Sequence, residues 1–169
     1  MLRILLYLLP VLFFAACLTP PEFPNEPVIK FESISKFEIN QANAGLPKDS
    51  IRIHLSFTDG DGDLGANGSD SIQIFLTDSR SNGRINTLLR FPFNIPDIPP
   101  EGTGNGISGD LYLTLENEAQ SVSCIANRRL FAQDPDLPVD TFSYIIQIRD
   151  RAGNFSNTVR TDLIDIICY

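Results

Sequence analysis

Three aspartates at alternate positions, Asp59, Asp61 and Asp63, are the side chains in this sequence whose spacing suits chemistry best. They lie in Asp59-Gly60-Asp61-Gly62-Asp63-Leu64-Gly65, directly after the alternating run of residues 51–57. Carboxylates on every second residue of a curled loop can converge on one hard cation. Calcium takes roughly six to eight oxygen ligands at about 2.3–2.6 Å. A second reading stands beside this one. Asp and Gly are common turn residues, and a strand end needs no metal to turn. Three aspartates are costlier than a turn requires, so calcium (Ca2+) is the cofactor expected here.

The spacing matches the first half of an EF-hand loop. With Asp59 as the first position, Asp70 falls at the twelfth. Leu64 stands where the EF-hand needs Gly, Asp70 reaches less far than the usual Glu, and no helices flank the loop. The expectation is therefore a calcium loop between strands, similar to the acidic turns of thrombospondin-type and cadherin-like proteins.

Other chemistry finds little support. His54 is the single histidine, and alternation places it on the wet face of its strand. No serine or cysteine has both a base and an orienting partner, and no His/Cys cluster of the zinc type occurs. Paired carboxylates could hydrolyse sugars, but the chain has no Trp to form a stacking platform. No enzymatic activity is expected.

The elements that must position the loop repeat every second residue. Ile51, Ile53, Leu55 and Phe57 point one way, and Arg52, His54 and Ser56 the other. Residues 72–76, 111–115 and 142–149 repeat the pattern, residues 158–167 close the chain, and a strand or pair is expected within 28–40. Residues 88–93 read as an edge strand because Pro92 suits no central one. Residues 94–109 and 133–138 read as surface connections, and residues 118–131 as a short helix or an irregular strand. About seven strands with one core face and one wet face predict an all-β fold, an antiparallel β-sandwich. Phe57, Phe142 and Tyr144 have core parity. Phe75 and Phe155 are the candidates for exposed contacts.

The N-terminus carries a different message. Arg3, the apolar run of residues 4–14 and the small pair Ala15-Ala16 form a secretory signal over residues 1–16, too short to span a bilayer. Phe14-Ala15-Ala16-Cys17 resembles the lipobox of bacterial lipoproteins, although Phe14 replaces the usual Leu. The resemblance implies cleavage before Cys17 and acylation of that cysteine, with palmitate among the chains, so that lipid alone holds the protein on a membrane. Leu18, rather than Asp, after the cysteine favours the outer membrane. Pro20, Pro21, Pro24 and Pro27 make residues 17–27 a semi-rigid tether, and residues 28–169 are the domain.

Loss of the signal removes Arg3 and no acid, which takes the formal net charge from −8 to −9. Such a charge argues against nucleic acid and against electrostatic docking on anionic lipid. Outside the cytoplasm Cys124 and Cys168 are either a disulfide or two free thiols.

The segment Asp150-Arg151-Ala152-Gly153-Asn154 resembles the last hairpin of bacterial immunoglobulin-like and fibronectin-III-like domains. Together with the acidic turn, residues 28–169 resemble the immunoglobulin-like heads of Gram-negative surface lipoproteins. That likeness implies that the loop after the second strand and the last hairpin share one end of the sandwich, so Asp150 and Asn154 join the expected ligands of the ion. It implies a cell-envelope protein acting in adhesion or envelope assembly, with envelope proteins as partners. The alternative is a lipoprotein that binds a glycan or peptide beside an outer-membrane transporter. The oligomeric state is left open.

Overall fold

The computed structural model describes residues 22–41, 48–65, 73–81, 95, 96, 98, 106–116 and 139–167. Among these residues nine strand segments run in the order β1 (Val28–Ile34), β2 (Glu38–Asn40), β3 (Ser50–Asp59), β4 (Ile74–Asp78), β5 (Ile107–Glu116), β6 (Val139–Phe142), β7 (Tyr144–Ile148), β8 (Val159–Arg160) and β9 (Ile164–Ile167). They form three three-stranded sheets, β1-β3-β5, β2-β9-β6 and β4-β7-β8. Every pairing is antiparallel except the short parallel pair of β2 and β9. The fold is all-β and sandwich-like, as the alternation predicts.

Two of these sheets run into one another. Ser143 alone separates β6 from β7, and residues 161–163 separate β8 from β9. Thr161 N–H donates to Tyr144 O at 2.9 Å, while Phe142 pairs with Ile164. Asp162 and Leu163 therefore lie opposite Ser143 alone, which is a β-bulge and bends the ladder there. Thr161 covers the bend from its side, since its hydroxyl oxygen accepts the Tyr144 N–H at 3.0 Å. Joined across the bulge, the nine segments make seven strand courses among the described residues.

The core follows from the pleat. Ile51, Ile53, Leu55 and Phe57 of β3 and Leu111, Leu113 and Leu115 of β5 are buried together with Ile74, Leu76, Tyr144, Ile146 and Ile148 from β4 and β7. Ile39, Phe142, Ile164 and Ile166 extend the same cluster through β2, β6 and β9. Phe142 and Tyr144 meet edge to face at 4.9 Å between ring centroids. At the end of β4, the guanidinium of Arg80 bridges Asp78 and Asp140 and lies 4.6 Å over the Phe142 ring. β5 begins at Ile107, earlier than the clean alternation at Leu111 suggests, because Ser108 and Gly109 still pair with Thr58 and Phe57.

The chain before β1 does more than connect. Pro24 O accepts the Gly60 N–H at 2.7 Å, so part of the proline-rich stretch is docked on the domain. The expected edge strand at 88–93, residues 118–131, and Cys17, Asp70, Cys124 and Cys168 lie outside the described residues.

Candidate metal centre

Asp59 is the last residue of β3 and keeps the strand's inward parity, after Ile51, Ile53, Leu55 and Phe57. Its cross-strand partner is Ile107. The pleat therefore drives a carboxylate to where the core expects an apolar side chain, and Asp59 is 0% exposed. One oxygen, Oδ2, accepts the Leu64 N–H at 2.9 Å. The other, Oδ1, is buried with no hydrogen-bond donor among the described residues. A buried carboxylate oxygen without a donor is among the costlier arrangements a fold can hold.

The loop then curls back over this carboxylate. Gly62 (φ 69°) and Gly65 (φ 111°) take up backbone conformations that side chains disfavour, which explains the glycine between Asp61 and Asp63 and the one after Leu64. Leu64 is wholly buried and pins the curl. Asp61 stays exposed and Asp63 is half-buried. One oxygen from each of Asp59, Asp61 and Asp63 lies within 4.8 Å of the others. Asp63 Oδ1 is likewise buried without a donor.

The electrostatics follow from burial and crowding. Burial raises the Asp59 carboxyl to about 6. The Leu64 N–H opposes that rise, and the charges of Asp61 and Asp63 add to it. Asp63 is raised by burial, opposed by the Ala152 N–H, and raised further by Asp150 and Asp61. The charge of Arg151 lowers Asp63 as the smallest of these influences, and among the described residues no basic side chain forms an ion pair with the three carboxylates. The donor set is oxygen only, which suits calcium or magnesium and not the softer transition metals.

The last hairpin clasps the loop, as the expected topology requires. Ala152 N–H donates to Asp63 Oδ2 at 2.9 Å, and Arg151 Nη1 donates to Gly65 O at 3.3 Å. Asp150 and Asn154 come to this end of the molecule but are engaged in closing their own turn. Asp150 Oδ1 accepts the Gly153 and Asn154 N–H groups, each at 2.7 Å, and Oδ2 accepts Asn154 Nδ2 at 2.8 Å. The cluster that the geometry draws together is Asp59, Asp61 and Asp63, with Asp150 as a neighbouring charge.

Sequence reasoning missed two parts of the site. Buried Gln73 donates from Nε2 to Gly65 O at 2.8 Å and closes the far side of the loop. No spacing rule marks it. The second part is a notch of two glycines. A Cβ on Gly60 would stand 2.3 Å from Phe23 O, and one on Gly106 would stand 2.8 Å from Phe23 Cδ2 and 2.7 Å from Asp59 O. A Gly inside the acidic turn and another just before β5 were the available signal.

On the outer face of β3 and β5, His54 Nε2 lies 2.6 Å from Asp110 Oδ1, and its ring stacks on Tyr112 at 4.5 Å. Ser56, two residues along, donates its hydroxyl to Glu32 rather than to His54. Phe75 packs on Phe155 at 5.6 Å, with Arg149 within cation–π distance of both rings. No protein-family model, curated protein or solved structure matches the chain.

Proposed function

We propose that this chain is a lipid-anchored cell-envelope protein whose immunoglobulin-like head, stabilised by calcium, acts without catalysis in adhesion or envelope assembly. One observation carries the calcium reading: the wholly buried Asp59, with an oxygen that no donor reaches, at the meeting point of three carboxylates. Calcium held by Asp59, Asp61 and Asp63 would supply the missing counter-charge and fix the loop between β3 and β4. The role of that end is then to present a loop of fixed shape. The anchor in this reading is the acylated Cys17, and the membrane is the outer membrane of a Gram-negative bacterium.

Calorimetric titration of the full chain in detergent with calcium, beside a thermal melt, tests the ion. Saturation with a rise in melting temperature is the expected result. An unchanged melting temperature in saturating calcium would reduce the cluster to a turn.

The alternative, a glycan- or peptide-binding accessory to an outer-membrane transporter, has one observation of its own. Tyr112 is 60% exposed, and its ring is held flat on His54 beside Asp110. An aromatic ring fixed in this way offers a stacking surface. A glycan array and a pull-down from solubilised envelope separate the two readings.

A further inference from the structure

The acidic loop and the N-terminal segment share one backbone contact. Gly60 sits between two of the three carboxylate-bearing residues, and its N–H donates to Pro24 O at 2.7 Å. The carbonyl of Phe23 and the ring of Phe23 fill the space that side chains on Gly60 and Gly106 would need. Gly106 in turn abuts Asp59 O and the Gly60 Cα, at 2.7 and 3.0 Å from where its Cβ would stand. The floor on which residues 23 and 24 rest is therefore the backbone of the acidic turn and its β5 neighbour. Nothing that moves Asp59, Gly60 and Asp61 can leave that floor unchanged.

The hold on the chain changes character at β1. Ile29 N–H donates to Asn157 Oδ1 at 2.8 Å, and Asn157 Nδ2 donates to Ile29 O at 2.9 Å. Val28 and Ile29 also pair with Thr58 and Phe57 in the β1–β3 ladder. From Val28 onward the chain is fastened by the sandwich itself, whereas residues 23 and 24 rest on the acidic turn.

We infer that the carboxylate cluster and the segment of residues 22–27 form one coupled device, in which a divalent cation on Asp59, Asp61 and Asp63 fixes the Gly60 floor and holds the segment docked. This rests on the calcium reading above. Without the cation, repulsion among the carboxylates opens the turn, the Gly60–Pro24 bond is lost, and the chain is free up to the buried Pro27. Five residues in extended form add about 17 Å to the reach of whatever precedes them. In an anchored protein the ion would thus set how far the head stands from the membrane. Linkage makes the effect reciprocal: a docked segment must raise cation affinity by the factor by which the cation favours docking.

The test uses the full chain in detergent, with calcium or with a chelator, and the variant Phe23→Ala, which removes a partly buried ring outside the core. Hydrogen exchange at the Gly60 amide is expected to slow by about tenfold or more in calcium, and Phe23→Ala to weaken calcium binding by about 5–20-fold, within the usual range of coupling between sites. Calcium binding by calorimetry with unchanged exchange at Gly60, and affinity of Phe23→Ala within about twofold of wild type, would overturn the coupling and leave the calcium site standing. Absence of calcium binding to the wild-type chain would overturn the calcium reading and the coupling together.

Discussion

Asp59→Asn is the substitution that separates a cation site from a turn, because only a cation site makes its effect depend on calcium. In the fold the Asp59 carboxyl holds its proton up to about 6, against a reference value of 3.8. The folded state therefore binds the proton more tightly than the unfolded state. Stability associated with that proton is fully present below about 3.8 and is lost as the pH rises through about 6. By linkage, the ionised carboxylate costs the metal-free fold roughly 2–3 kcal/mol at pH 7.5. Asparagine keeps the shape, keeps an oxygen for the Leu64 N–H, and puts an amide donor where Oδ1 now meets other carboxylates. In chelator at pH 7.5, Asp59→Asn should be more stable than wild type by up to about 2–3 kcal/mol, or roughly 6–9 °C in melting temperature for a domain of this size.

Calcium should close that gap. At about one hundred times its dissociation constant, an ion that binds only the folded state adds about 2.7 kcal/mol. Wild type gains this and the variant, which lacks a ligand charge, gains little. At pH 3.5 in chelator the two proteins should melt together. The assay is differential scanning calorimetry in three conditions. Destabilisation by Asp59→Asn in chelator at pH 7.5 would refute the electrostatic argument. An equal calcium shift in both proteins would refute the site.

Further substitutions probe the frame and the anchor. Arg80→Met leaves Asp78, whose side chain is only 4% exposed, without its guanidinium, and should cost about 3–5 kcal/mol in urea unfolding. The double variant Asp78→Asn/Arg80→Met should recover part of that loss. Gly153→Ala places a Cβ at φ 99° in open space, so its cost of about 1–2 kcal/mol is backbone strain alone, and Gly153→Asn should lose less. Cys17→Ser should abolish palmitate incorporation in growing cells, and equal labelling of both proteins would remove the lipid anchor from the reading.

How far the sequence carries is uneven, for reasons that can be located. Strands β3, β5 and β7 are legible because each buries one face, so alternation is imposed on their residues. The bulge at Ser143 is not legible, since a small residue opposite two others leaves no compositional trace. The loop's approach to the last hairpin follows from topology, but the engagement of Asp150 and Asn154 in their own turn depends on side-chain direction, which spacing does not report. The burial of Asp59 was written in the parity of β3, one step beyond Phe57. An Asp-Gly pair after a strand reads as its end, so the alternating run reads as stopping at Phe57, two residues early. The docking of residues 23 and 24 is invisible for another reason. It uses a carbonyl oxygen and the missing side chains of two glycines, and prolines nearby suggest a free stalk.

A carboxylate at core parity contradicts the pattern that builds the rest of β3, and such local contradictions persist where something else compensates them. Three compensations are conceivable for Asp59: a donor, a proton or a cation. Among the described residues the one donor that reaches it, the Leu64 N–H, engages only Oδ2. With the carboxyl at about 6, a proton is bound to only about 3% of molecules at pH 7.5. The cation is the remaining candidate, and the oxygen-only set names its class. Sites of this kind on modules outside the cytoplasm bind calcium with dissociation constants of about 10⁻⁴–10⁻³ M. An affinity in that range would keep the site filled where calcium is abundant and leave it open where calcium is scarce. Because residues 23 and 24 rest on the same turn, the compensation that Asp59 needs and the position of the N-terminal segment are one equilibrium. On the proposed reading, the aspartate that disturbs the β3 pattern would make the position of the N-terminal segment depend on calcium.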